Sequence, residues 1–162
     1  MTSLWQVRLA AGATLLGCVA VLACAAWLKP DPRGYGTHQQ FGLGACGMIL
    51  GTGLPCPTCG MTTAFSHTVR GQWSSAIRAQ LGGFLLAIGV ALLGLLCGRA
   101  VLTGRWPHVP LRVTPFGLSA LLLFVLVGGW GLKLALGLAD GSLPVRGGVR
   151  VQPLPSSAPS RL

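Results

Sequence analysis

Residues Leu81–Cys97, LGGFLLAIGVALLGLLC, run for 17 positions without a charge, between Arg78 and Arg99. A bilayer core of about 30 Å is crossed by roughly 17–25 apolar helical residues, so this run can span it. Two others match it. Leu9–Leu28 has 20 residues and no charge, and Phe116–Leu138 has 23 residues with Lys133 as its single charge. Lys133 lies near the end of its run, where a long stem lets the ammonium snorkel to the interface. Trp27 and Trp106 sit at run margins, where indole rings favour the headgroup region. The three runs predict an all-α integral membrane protein with three transmembrane helices.

Composition supports the same class. The chain of 162 residues is 52% hydrophobic and only 9% charged, with a mean hydropathy of +0.69. Soluble domains carry about 25% charged residues. Twelve Lys and Arg stand against two acids, Asp31 and Asp140. The cations lie singly between apolar runs, as membrane proteins distribute loop charge. No basic stripe or nucleic-acid motif occurs, so nucleic acid is not an expected partner and the lipid bilayer is. With two acids, a catalytic carboxylate pair is implausible, and neither a phosphate-binding Gly loop nor a nucleophile elbow is present. No catalytic residue is assigned. The 25 glycines suit close helix approach, and Gly82, Gly83 and Gly89 are the candidates on the second run.

The runs divide the chain into a tail (1–8), a first span (9–28), a long connection (29–80), a second span (81–97), a short basic loop (98–115), a third span (116–138) and a Gly/Pro/Ser-rich tail (139–162) expected to be disordered. An odd span count puts the termini on opposite sides. A cytoplasmic long connection places Lys29, Arg33, Arg70, Arg78, Lys133, Arg146, Arg150 and Arg161 inside; the reverse places Arg8, Arg99, Arg105 and Arg112 there. The count of eight against four favours the first, although the short loop is denser in charge. An alternative makes the first run a cleaved signal, with Cys18 or Cys24 in a loose lipoprotein-type site. Against it, the segment before the run holds only Arg8, and both cysteines read more simply as small apolar residues in a membrane helix.

The long connection carries the chemistry. Phe41–Leu54 is apolar, Gly-rich and uncharged, too short to span, and is expected to lie in the interface under the spanning helices. Then comes Cys56-Pro57-Thr58-Cys59-Gly60-Met61-Thr62-Thr63-Ala64-Phe65. Pro57 suits the first position of a helix and Gly71 its terminator, which predicts an interfacial helix over about 58–70 carrying the Cys-x-x-Cys pair. The free N–H groups of a helix start would favour a thiolate there.

Three readings of the thiols stay open. As metal ligands, Cys46, Cys56 and Cys59 with one histidine, His38 or His67, make the Cys₃His set that structural zinc takes, at a spacing no common zinc finger has. As redox groups, Cys56 would attack and Cys59 resolve, with Cys46 as relay. Membrane thiol oxidases such as vitamin K epoxide reductase and disulfide-bond protein B work this way, but no second Cys pair is evident here. As packing groups, the thiols would do neither; Cys97 reads that way, and His108 as a loop residue.

The stretch Cys46-Gly47-Met48, Thr52-Gly53-Leu54-Pro55-Cys56-Pro57-Thr58-Cys59-Gly60-Met61-Thr62-Thr63-Ala64 resembles the bacterial membrane family known as domain of unknown function 2752. The continuation through Val69-Arg70-Gly71 and Trp73–Gln80 fits the same pattern, and Thr63 stands where that family often has Arg. The resemblance implies a small, multi-spanning protein of the bacterial inner membrane with a three-Cys motif at Cys46, Cys56 and Cys59. It implies no activity.

Overall fold

The computed structural model describes residues 4–106 and 115–139. The expected disordered tail beyond residue 139, Arg112 and His108 lie outside them. Among the described residues the chain forms six α-helices and one 3₁₀ helix, with no strand. These are α1 (Leu4–Trp27), the 3₁₀ helix (Thr37–Phe41), α2 (Gly47–Thr52), α3 (Met61–Thr68), α4 (Trp73–Ala79), α5 (Leu81–Thr103) and α6 (Pro115–Ala139). α1 and α5 are long and apolar enough to cross a membrane; α6 is apolar from Ser119 to Ala135.

α1 and α5 are apolar around their whole circumference, so periodicity cannot say which face packs; residue size does. The buried face of α1 is Val7, Ala11, Cys18 and Ala25, at four- and seven-residue spacing. That of α5 is Gly82, Gly83, Ala87, Cys97 and Ala100. Leu4 and Arg8 lie against Gly104, and Cys18 against Gly94. Ala25 and Ala87 share a cluster with Phe65 of α3. The two helices are therefore antiparallel and meet through small residues, as helices in lipid do when dispersion rather than water exclusion joins them. Large side chains such as Leu16, Leu95 and Leu102 point outward. Cys18 and Cys97 are buried packing residues, as read from the sequence. Of the three glycines singled out there, Gly82 and Gly83 are buried but Gly89 faces outward with nothing near it; Gly94 makes the close approach instead.

α3 docks against the lower ends of this pair. Arg70 reaches back to the C-terminus of α1, donating through Nη2 to the carbonyls of Ala26 and Leu28 at 2.7 Å each and through Nη1 to Ser66 Oγ at 2.6 Å. Ser66 Oγ in turn donates to Leu28 O at 2.6 Å. The last carbonyls of a helix have no partner within it and carry the negative end of its dipole, so a guanidinium is well matched to them.

The connection departs from expectation in two ways. The Cys pair is not on a helix running from residue 58. Residues 57–60 form a tight turn, and α3 begins only at Met61 behind Gly60. Gly60 has φ +94°, a conformation that stops a helix from being continuous through it. At the other end Gly71, with φ +72°, ends the segment as expected. The second departure is Phe41–Leu54. No spanning helix covers it: Phe41, Leu43 and Leu50 are each about half exposed, at 47%, 59% and 55%. Its apolar side chains face outward, the direction lipid would occupy.

Candidate metal centre

Cys46 precedes α2, and Cys56 and Cys59 occupy the turn before α3. The turn is closed by the Cys59 N–H donating to Cys56 O at 2.9 Å. It brings the two sulfurs to 2.9 Å of each other, and the fold of the connection brings Cys46 to them, so the three Sγ atoms lie within 4.8 Å of one another. All three thiols are free. Three sulfurs this close offer a metal ion three soft donors at one point.

Among the described residues, neither histidine joins the group. His38 sits on the 3₁₀ helix beside Thr37. It is Thr37 that turns inward, its Oγ1 2.8 Å from Thr63 Oγ1 in a fully buried contact. Consecutive residues of a 3₁₀ helix point about 120° apart, so His38 is carried away from the sulfurs. His67 is held by Gln72, with Nδ1 2.6 Å from Oε1. Of the expected Cys₃His set, the structure brings the three cysteines together and leaves His38 outside their group.

The thiols have unequal environments. The N–H of Ile49 favours the Cys46 thiolate most. Burial opposes it, and hydrogen bonds from Cys59, Met48 N–H and Cys56 add to it, bringing the thiol from 9.0 down to about 7. Burial is the largest influence on Cys59, and its hydrogen bonds to Cys56 and Cys46 keep its proton in place, so it is pushed up to about 12. Without metal, Cys46 is therefore the more readily ionised of these two thiols, with Cys59 as a proton donor toward it.

What fixes the loop was not legible in the sequence. Three side chains from outside it bind alternate carbonyls. Trp130 Nε1 donates to Pro55 O at 2.8 Å, Gln80 Nε2 to Pro57 O at 3.0 Å, and Lys133 Nζ to Cys59 O at 3.5 Å. Trp130 and Lys133 are three apart on α6 and so share a face. Lys133 also donates to Ala79 O at 2.7 Å and Gly34 O at 3.4 Å, and lies 5.9 Å from the Tyr35 ring centre. All three ammonium protons are therefore taken by carbonyls; the ammonium turns into the connection rather than out to the interface. Gln80, fully extended between α4 and α5, also accepts from the N–H of Gly82 and Gly83 and so caps α5. Gly60 is the pivot of this packing. A Cβ there would fall 2.5 Å from Ala79 O and 2.6 Å from Gly34 O, both backbone atoms. The signals available were faint: a single Lys in an apolar run with Trp one turn before it, and a Gln as the last polar residue before another run.

No curated protein and no solved structure matches the chain. Residues 46–94, from Cys46 to the middle of α5, match the family model described as Protein of unknown function (DUF2752), the family that the sequence resembles.

Proposed function

We propose that this is a three-span protein of the bacterial inner membrane whose Cys46, Cys56 and Cys59 hold a structural zinc ion on the cytoplasmic side. The convergence of three free thiols from two separate segments, the entry to α2 and the turn before α3, carries the reading. Thiolates are soft donors that suit zinc, and a redox-inert ion at such a site cross-links the chain. The environment favours a structural role. Among the described residues Asp31 is the only carboxylate, and it is bound to Arg33 at 2.7 Å, so no general base stands at the cluster. Three thiolates and a divalent ion leave one net negative charge. The ammonium of Lys133, bonded to the carbonyl of Cys59, compensates it. α6 supplies the third span, and its Lys133 brings its C-terminal half to the same side as the long connection. The count of eight cations against four supports a cytoplasmic position for that side.

Metal content and free thiols, measured on detergent-purified protein and on Cys46→Ser, test the site. About one zinc per chain is expected, lost in the variant together with thermal stability. Metal-free protein with a Cys56–Cys59 disulfide that cycles under mild reductant would overturn it and favour thiol–disulfide exchange. A membrane-impermeant maleimide on intact spheroplasts should leave the chain unlabelled until the membrane is opened; labelling before that reverses the orientation.

A further inference from the structure

Beside the sulfur cluster, on the far side of Lys133, lies a second feature. It is an open cavity of about 350 Å³ lined by Arg33, Gly34, His67, Ser75, Arg78 and Lys133, among others. Its charge is one-sided. Asp31 is the only acid among the described residues, and it is spent on Arg33, accepting from Nε at 3.0 Å and from Nη2 at 2.7 Å. Arg78 and Lys133 remain, and Arg78 has no acidic partner among the described residues. Ser75 adds a hydroxyl to the same wall. A cavity walled by two cations, a neutralised arginine and a hydroxyl is built for a compact oxyanion, and guanidinium matches phosphate oxygens in paired geometry.

The helix that supplies Ser75 and Arg78 also says where the cavity sits. α4 buries Ala76 and Ala79 and leaves Trp73 and Ile77, one turn apart, 60% and 45% exposed. An exposed indole and isoleucine on a short helix that buries its two alanines and otherwise carries two serines and one arginine suit a helix lying in a bilayer interface. Phe41 and Leu43 on the same connection, and Trp27 at the end of α1, are exposed as well. The cavity therefore opens where phosphate headgroups would be.

We propose that this cavity binds a phosphate group, with Arg78 as its principal charged contact, Lys133 as a fixed positive field and Ser75 as a hydroxyl donor. The group can be presented by an anionic phospholipid headgroup or by free phosphate. The site shares Lys133 with the cysteine loop but has no cysteine in its lining, so it does not require a metal and stands on Arg78 and Ser75 whether or not zinc is found.

The test is thermal unfolding of the detergent-purified full chain with four additions: phosphatidylglycerol, phosphatidylcholine, inorganic phosphate, and chloride at matched ionic strength. Wild type, Arg78→Gln and the control Arg99→Gln are compared. At ligand near a hundred times Kd, a rise of about 5 °C or more is expected in wild type and in Arg99→Gln. Loss of the guanidinium should weaken the apparent affinity about tenfold or more in Arg78→Gln. A response to phosphatidylglycerol alone assigns the group to lipid; a response to inorganic phosphate as well assigns it to the soluble ion. The proposal fails if wild type responds to neither beyond phosphatidylcholine and chloride. It fails equally if Arg78→Gln keeps the full response, or if Arg99→Gln loses it to the same degree.

Discussion

The α1–α5 pair and the cysteine loop are held by opposite means. The pair meets chiefly through alanine, glycine and cysteine. The loop has almost no apolar packing of its own and is held by directed bonds: Trp130, Gln80 and Lys133 on alternate carbonyls, with Gly60 admitting the neighbouring backbone. Dispersion between small residues falls off gradually when one contact changes. A buried carbonyl that loses its donor forfeits its whole desolvation cost at once. The pair should thus tolerate substitution away from its small-residue contact face, and the loop should not.

Gly60→Ala is the severest trial of that contrast. It combines a positive φ with a Cβ 2.5 Å from a backbone oxygen, and a loss of about 3 kcal/mol or more is expected, seen as failure to purify folded or as loss of bound metal. A variant that melts like wild type would show that the loop yields. Next is the charge asymmetry of the thiols in metal-free protein. Cys46 should alkylate about tenfold faster at pH 8 than at pH 6, with a midpoint near 7, while Cys59 stays unreactive through that range. The two shifts act oppositely on stability. The lowered Cys46 value contributes above its unfolded value near 9 and is lost as pH falls through about 7. The raised Cys59 value contributes below 9 and is lost as pH climbs toward 12. Metal-free stability should therefore peak near pH 9; a monotonic profile would deny the asymmetry. Trp130→Phe keeps the ring but leaves Pro55 O without its donor, and should cost about 1–2 kcal/mol by chemical or thermal unfolding. No change would mean that the indole is only packing. Gly89→Ala, on the membrane pair, should be neutral or stabilising by up to about 1 kcal/mol, since nothing lies near its Cβ position. A clear loss there would make the pair as exacting as the loop.

The elements that sequence reading finds are those whose signal is summed over many residues. The apolar runs at α1 and α5 belong to this class, and so does the triplet of cysteines in one connection, which the fold does gather. Single contacts are the ones it misses. His38 was a reasonable fourth ligand by distance along the chain, but whether it or Thr37 turns inward depends on the register of one 3₁₀ turn. Starting the Cys helix at Pro57 followed a sound preference, and failed because Gly60 must take a left-handed conformation to let Ala79 and Gly34 approach. In the sequence Arg70 is the last residue of the expected Cys-bearing helix and one cation of the connection. Its role at the end of α1 follows from a contact across 44 residues, which no local pattern encodes.

The loop's anchors also set an order of assembly. Lys133 reaches Gly34 across 99 positions and Cys59 across 74, and Trp130 reaches Pro55 across 75. During synthesis the cysteines emerge long before α6, so the turn around Cys56 and Cys59 has its own backbone bond and the Gln80 anchor at hand, but lacks the two anchors from Trp130 and Lys133 until α6 is made. Completing the anchorage is thus the task of the last described helix, and a nascent chain halted before Trp130 would hold its thiol loop by Gln80 alone.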